Sequence, residues 1–478
     1  MKKTFFLFIA LFFATRLFSQ SPAIFDYNLT KQVIHGFGAA SAWHGQLSDA
    51  EINAAFGNAD STQMGLSILR VRIDPNPASS SWVSEKSNAK KAKAKGATIL
   101  ASPWSPPAYM KTNNSTTGGF LKPEYYSSYA NHLKNFCTIV PEVDIISLQN
   151  EPNIKVTYES CDWYAWQMLD FCKNNAPAIG KPVMMPETYN FSIKYSDSIL
   201  SNATALANID YVGGHIYGTS VRSYPLATNN NKGLWMTEHY LNGDTIETCM
   251  EMSKEIMDCL FGNMNAYVWW YLRQPGCNII NSGGSFKLKG YTMAQFSKFI
   301  RPGYVRVNGT YQTIPRMNML LFKGPDKDVL VVLNQNTTAK SQSFVFSNMN
   351  LDMATKYVTS ETKRLANEGS IKITNNAFLD TFDAQSITTY VIKRVSSAIH
   401  ETVADDIRIF PNPAEDYIQL SSVEHVKSVK IFNISGQLVR SVIKPTTSKI
   451  AVADLLPGTY IADIEQSNCS KRVRFLKK

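Results

Sequence analysis

The chain has 478 residues, 18% charged and 44% apolar, an ordinary globular balance with room for a large core and more than one domain. Its formal charge of +10 is spread along the sequence. With no basic stripe, arm or binding motif, nucleic acid is excluded as a partner, and mild attraction to acidic polysaccharide or plain solubility remains. The 7 cysteines show no CxxC or metal-ligand spacing, so neither a metal nor a cofactor is expected. An odd count leaves at least one thiol free; the rest are expected to be mostly buried structural thiols, with one disulfide as an option.

The chain opens with Met1-Lys-Lys, an apolar stretch from Thr4 to Thr15, and Arg16-Leu-Phe-Ser-Gln20. A basic start, a short apolar run and a small residue near the cut make residues 1–20 a signal peptide. No later run is long and apolar enough to span a bilayer, so the mature protein is expected to be exported, soluble and monomeric.

Short apolar or alternating segments follow at Gly36–Trp43, Leu66–Ile73, Ala97–Trp104, Val143–Asn150, Lys181–Pro186, Asp210–Tyr217, Gly233–Thr237 and Ala266–Leu272. Helical spacing appears between them, as in Glu124–Phe136, Trp163–Asn174 and Ile246–Phe261. This alternation over residues 36–301 predicts an α/β fold, a (β/α)₈ TIM barrel. A doubly wound sheet is the alternative, but its usual glycine-rich phosphate loop is missing.

Active sites of such barrels lie at the C-terminal strand ends. Those ends carry Trp43, Arg70 with Arg72 and Asp74, Trp104, Asn150 with Glu151, Glu187, Tyr217, Glu238, and Trp270 with Arg273. Sugars are bound by such a ring: apolar faces stack and polar groups take hydroxyls. Trp43, Arg70, Trp104, Asn150, Tyr217, Trp270 and Arg273 are therefore the candidate substrate-binding residues. Glu151 and Glu238 each end an apolar run. A charge is costly to bury unless paired or used, and two carboxylates facing one cleft suit glycoside hydrolysis. The alternative is that each is the first solvated residue after a strand.

After Arg301-Pro-Gly the chain becomes rich in β-branched residues, with turns at Asn308-Gly309, Gly324-Pro325-Asp326 and Asn334-Gln-Asn336. Residues 302–396 are predicted to form an antiparallel β side domain, to which residues 22–35 add a strand. A polar linker at 397–406 precedes a small all-β domain at 407–478, marked by Phe410-Pro-Asn-Pro413, Gly458-Thr-Tyr460 and the basic end Lys471-Arg-Val-Arg-Phe-Leu-Lys-Lys478.

Six stretches resemble glycoside hydrolase family 30, in particular its bacterial xylanase branch. They are Ser67-Ile-Leu-Arg-Val-Arg-Ile-Asp74, Ala101-Ser-Pro-Trp-Ser-Pro-Pro107, Ser147-Leu-Gln-Asn-Glu-Pro152, Leu234-Trp-Met-Thr-Glu-His239, Tyr267-Val-Trp-Trp-Tyr271, and the run from Lys289 to Gly303. The resemblance implies a barrel with a fused β side domain and retaining hydrolysis of β-linked glycans. It makes Glu151 the acid/base and Glu238 the nucleophile. Arg70 and Tyr217 match positions that lower the pKa of the nucleophile, while burial and Glu238 raise that of the acid. Asn150 is placed to hold the 2-hydroxyl of the −1 sugar.

The sequence departs from this branch at Gln274, where a second arginine would bind a uronic acid carboxylate. Tyr109 stands where a tryptophan is usual, and the loop Pro275–Gly284 follows a different pattern. The expected activity is a secreted endo-β-1,4-xylanase. The alternatives are a family 30 hydrolase acting on β-1,6-glucan, a β-glucoside or xylo-oligosaccharides, and a non-catalytic surface glycan-binding protein. Residues 407–478 resemble the sorting domain of type IX secretion, which implies that machinery as a partner and a secreted or cell-surface protein. The alternative for this segment is a carbohydrate-binding module.

Overall fold

The computed structural model of the chain describes residues 21–395, 407–434, 436–466 and 470–478. The predicted signal peptide, the predicted linker and Cys469 lie outside the described residues. Strand β1 (Ala23–Val33) precedes a closed barrel of parallel strands: β2 (Gly36–Ala40), β3 (Ile68–Ile73), β4 (Thr98–Pro103), β5 (Ile145–Ser147), β6 (Val183–Thr188), β7 (Tyr211–His215), β8 (Gly233–Glu238) and β9 (Ala266–Tyr271). Each predicted apolar segment overlaps one of them; β6 runs two residues and β8 one residue past the predicted ends. Helices pack around the barrel: α1 (Asp49–Phe56), α2 (Ser80–Lys93), α3 (Tyr126–Ile139), α4 (Ala165–Asn174), α5 (Ile193–Leu200), α6 (Ala203–Ala207), α7 (Pro225–Asn229), α8 (Ile246–Phe261) and α9 (Leu288–Ser297).

Side chains alternate along each strand, so every second residue points into the barrel. The lower interior layer is apolar: Ile68, Leu100, Ile145, Met184, Trp235, Ala266 and Val268 form one buried cluster. Two residues further along the first three of these strands, the inward positions are Arg70, Ser102 and Ser147, all fully buried. The barrel is thus filled with hydrocarbon at its base and charged at its top, where the strands end. Close packing forbids a side chain at Gly38, because a Cβ there would lie 2.4 Å from the Ile68 carbonyl oxygen.

The side domain is built from β1 and from β10 (Val305–Gly309), β11 (Gln312–Ile314), β12 (Met317–Lys323), β13 (Lys327–Asn334), β14 (Lys340–Ser347), β15 (Leu351–Thr359), β16 (Ala366–Lys372), β17 (Ala377–Phe382) and β18 (Ser386–Arg394). The path across it is β16-β15-β18-β13-β12-β10-β1-β14-β17, with β11 paired to β12. It is antiparallel except at one place: β1 pairs antiparallel with β10 and parallel with β14. Strand β1 enters from the start of the chain, so no hairpin dictates its direction. The side domain is joined to the barrel by Tyr311, whose hydroxyl donates to Asp258 at 2.6 Å, and by Gln295, which donates to Thr359 Oγ1 at 2.9 Å.

Residues 396–478 form a second unit. Its described residues contain strands β19 (Ile409–Phe410), β20 (Tyr417–Leu420), β21 (Val426–Asn433), β22 (Leu438–Ile443), β23 (Lys449–Ala451), β24 (Gly458–Gln466) and β25 (Ser470–Lys477). They form the sheets β19-β20-β23 and β22-β21-β24-β25 around one core that includes Ile418, Val429, Ile431, Ile450, Ile464 and Phe475. Six of the cysteines, Cys137, Cys161, Cys172, Cys249, Cys259 and Cys277, are free and buried. Among the described residues no helix is long and apolar enough to cross a membrane.

Candidate active site

The charged top of the barrel opens into a cleft of about 840 Å³ whose walls include Trp43, Trp104, Glu151, Tyr158, Tyr189, Tyr217, Glu238, Tyr240, Trp270, Tyr271 and Gln274. Strand β8 ends at Glu238, and Glu151 follows β5. The two carboxyl groups reach toward each other: one oxygen of each, together with one ring nitrogen of His215, lies within 4.8 Å of the others. Glu151 holds this position with a backbone φ of 48°, a left-handed conformation that a non-glycine residue adopts at some cost. Its N–H donates to the Glu187 carbonyl at 2.9 Å, and the preceding Asn150 N–H donates to that of Pro103 at 2.8 Å, so the turn is clamped to both neighbouring strands.

Arg70 organises the base of the site. Its Nη1 donates to Glu238 at 2.6 Å, its Nη2 to Asn150 Oδ1 at 2.7 Å, and its Nε to Ser102 Oγ at 3.2 Å. Glu187 lies 3.2 Å from the same guanidinium and accepts from Ser102 at 2.8 Å. Tyr217 donates to Glu238 at 3.1 Å, and Tyr158 donates to Glu151 at 3.0 Å. Trp43, Trp104 and Trp270 meet as a group, with ring centroids 4.7 to 6.0 Å apart. The Arg70 guanidinium sits 4.7 Å from the Trp104 ring and that of Arg72 sits 4.8 Å from Trp43. Arg72 is tied to Asp74 at 2.8 Å and to Glu159.

The charges of this cluster set one another. Burial alone would raise Glu187, but Arg70, His215 and Ser147 outweigh it and hold the carboxyl down at about 2. Burial would lower His215, but Glu238, Glu151 and Glu187 outweigh it and push the imidazole up to about 9. Burial pushes Glu238 above the ordinary carboxylate range, and Glu151 adds to this, while the charges of His215 and Arg70 pull it back. The lowering expected from Arg70 and Tyr217 is therefore only a counterweight, since the sequence showed the donors and not the depth of burial.

The structure brings Trp43, Arg70, Trp104, Asn150, Glu151, Tyr217, Glu238 and Trp270 together. Arg273 differs from the expectation. It is not on the cleft wall; its Nη1 donates to Glu51 at 2.8 Å and its Nη2 to the His44 carbonyl at 3.0 Å, while the neighbouring Gln274 lines the cleft. Adjacent residues of an extended segment point to opposite sides, and the buried Glu51 captures this one. Sequence reasoning missed His215, whose Nδ1 lies 3.0 Å from Glu151 and 3.8 Å from Glu238. Its signal was available: it stands two residues before Tyr217, where alternation turns both inward. Tyr158, Tyr189 and Tyr240 gave no such signal.

Beneath the Trp43 loop lies a second buried carboxyl. Glu85 on α2 accepts from Ser41 Oγ at 2.6 Å, the Arg72 N–H at 3.2 Å and Asn88 Nδ2 at 3.2 Å. Burial still pushes it from 4.5 up to about 7. A carboxyl raised on folding binds its proton more tightly in the folded chain, so stability falls as pH rises from about 4.5 to about 7. The loss amounts to roughly 3 kcal/mol. Glu85→Gln is expected to flatten this dependence: between about pH 5 and about pH 8 the wild-type thermal midpoint should drop by several degrees more than that of the variant. Equal drops would mean that Glu85 does not titrate there.

The comparisons with known proteins agree with this architecture. Residues 408–478 match the model of a secretion system C-terminal sorting domain. The chain is 36% identical over 402 residues to the glucuronoxylanase XynC of Bacillus subtilis, covering 80% of this chain and 94% of that one. Among solved structures, the glycoside hydrolase family 30 subfamily 8 xylanase Xyn30A of Clostridium acetobutylicum is 40% identical, with a TM-score of 0.75 over 78% of this chain and 99% of that chain. A GH30 endoxylanase of Clostridium papyrosolvens C71 is 39% identical, with a TM-score of 0.73 over 78% of this chain and 100% of that one.

Proposed function

The chain belongs to glycoside hydrolase family 30, and from that membership and its paired carboxylates we propose that it is a secreted, retaining endo-β-1,4-xylanase. The observation that carries the reading is the approach of Glu151 and Glu238 to within 4.8 Å at their nearer oxygens. Retaining glycosidases hold their carboxyl groups about 5–5.5 Å apart, and inverting ones leave roughly 6.5–9.5 Å for a water.

In this reading Glu238 attacks the anomeric carbon while Glu151 protonates the leaving oxygen. A covalent glycosyl-enzyme forms, and Glu151 then activates the water that hydrolyses it. The donors Arg70 and Tyr217 contact Glu238 and favour its ionised form. Asn150, its Oδ1 held by Arg70, offers its amide NH₂ to the 2-hydroxyl of the −1 sugar.

The relatives' names supply xylan as the substrate class. The preference for glucuronate is not carried over, because Gln274 cannot grip a carboxylate as an arginine does. The test is a panel of glucuronoxylan, arabinoxylan, linear xylan and β-1,6-glucan, with product sizes and the first-formed anomer recorded. Internal cleavage of xylan with the β-anomer first is the expected result. Exclusive action on β-1,6-glucan, or an initial α-anomer, would overturn the substrate or the mechanism respectively.

The C-terminal sorting domain supports export by type IX secretion, in which case the protein ends outside the cell or on its surface. Residues up to Val395 and residues from Ile407 enclose separate cores. Removing residues 407–478 should leave kcat/KM on xylan within about twofold and strand the protein in the periplasm of a type IX host. Normal secretion of the shortened chain would rule out the sorting role. Loss of binding to insoluble xylan would favour a carbohydrate-binding module.

A further inference from the structure

The two loops that wall the cleft after β4 and β5 also carry aromatic rings away from it. Phe120 stands on the first loop, Tyr164 ends the second, and Trp166 lies in the first turn of α4. The Phe120 and Tyr164 rings are 4.7 Å apart at their centroids with planes inclined by 18°, and Tyr164 and Trp166 are 6.3 Å apart with an inclination of 13°. Tyr164 is 54% exposed and Trp166 60%. Gathered on one surface, these rings leave a contiguous apolar area in water, and such patches mark binding surfaces.

The backbone that carries the rings is tied down. Phe120 bridges to Asp162, the Asp162 N–H donates to the Gly119 carbonyl at 2.8 Å, and that of Ser160 donates to Thr116 at 2.9 Å. The Tyr164 N–H donates to Gln167 Oε1 at 2.9 Å, and between these points Trp163 is buried as an anchor. A preorganised platform loses little freedom when it binds.

We infer that Phe120, Tyr164 and Trp166 form a second carbohydrate-binding platform, outside the catalytic cleft, for a β-linked polysaccharide chain. The inference rests on the proposed polysaccharide hydrolysis. The ligand chemistry follows from the rings: apolar pyranose faces stack on aromatic faces. Continuity argues for the same polymer, because the loop that leads to Tyr164 also supplies Glu151, Ile154, Lys155, Val156 and Tyr158 to the cleft. A polymer held at two places on one protein gains through effective concentration, whereas a short oligosaccharide that fills only the cleft gains nothing.

The experiment uses the full chain with Trp166→Ala, Tyr164→Ala and both together. Retention on insoluble xylan is measured in a Glu238→Gln background, and kcat/KM on soluble polymer and on xylotetraose in the active protein. Each change is expected to weaken retention by roughly threefold to tenfold and to raise polymer KM to match. Xylotetraose kinetics and thermal midpoint should stay as in the unaltered protein, and Trp166→Phe should keep most of the retention. Unchanged retention and polymer KM would overturn the platform. So would a parallel fall on xylotetraose, which would place the effect in the cleft or the fold. A change in oligomeric state with polymer binding intact would make the patch a protein interface. If the unaltered enzyme cleaves β-1,6-glucan and not xylan, the substrate reading fails, and the platform is tested by retention on that polymer.

Discussion

Glu238→Gln should abolish both steps on every substrate, while Glu151→Gln should spare the first step where the leaving group needs no proton and still slow the second. Both variants are isosteric, so the Arg70, Tyr217 and His215 contacts retain partners and the fold should persist, with a thermal midpoint near that of the unaltered protein. Without the Glu238 carboxylate no covalent intermediate forms, and loss of a positioned acid or base alone removes roughly 10²–10⁴-fold in rate. On xylan both variants should therefore fall by at least about 10²-fold. They should separate on an aryl xyloside with an acidic phenol, whose departure needs no general acid. There the first, glycosyl-enzyme-forming step should survive in Glu151→Gln and vanish in Glu238→Gln. Full activity of either variant on xylan would remove that residue from its role, and the opposite ordering on the aryl substrate would exchange the two roles.

The second large effect concerns the uronic acid side group. A charge-assisted hydrogen bond contributes roughly 1.5–3 kcal/mol, or about 10- to 150-fold if it is expressed in the transition state. Gln274 lines the cleft and offers no such bond, and Arg273 beside it is committed to Glu51 and the His44 carbonyl. The ratio of kcat/KM on glucuronoxylan to that on de-glucuronidated xylan is therefore expected to lie near one, and Gln274→Arg should raise it by at least about tenfold. A ratio in the hundreds for the unaltered protein would mean that the carboxylate is still recognised. Lys155, the cation on the opposite loop of the cleft, would then be its source, and Lys155→Met would have to remove the preference.

Much of this protein was legible in its sequence because a barrel strand is a local object. Its side chains alternate with period two, so the inward residues after Ile68, Leu100 and Ile145 could be read by counting, and the carboxylates that end two of the runs had to emerge at the same face. The eight strands and the shared face of Glu151, Glu238, Arg70 and the tryptophans follow from that regularity, while the family resemblance rested on six motif stretches. What lies beyond a strand end, or depends on depth, was decided by the tertiary structure. Arg273 and Gln274 are adjacent, but only the position of Glu51 on α1 determines which of them faces the cleft. His215 acquires its charge because three carboxylates from three other strand ends surround it. The Glu238 carboxyl is raised, against the pull of two visible donors, because the folded barrel removes it from water. Strand β1 runs parallel to β14, a pairing of residues more than 300 positions apart (Ala23 with Phe344) that no local pattern announces. Direction along a strand is set by the chain itself, whereas direction in a loop, the pairing of distant segments and the dielectric around a charge are set by partners that the sequence does not place nearby.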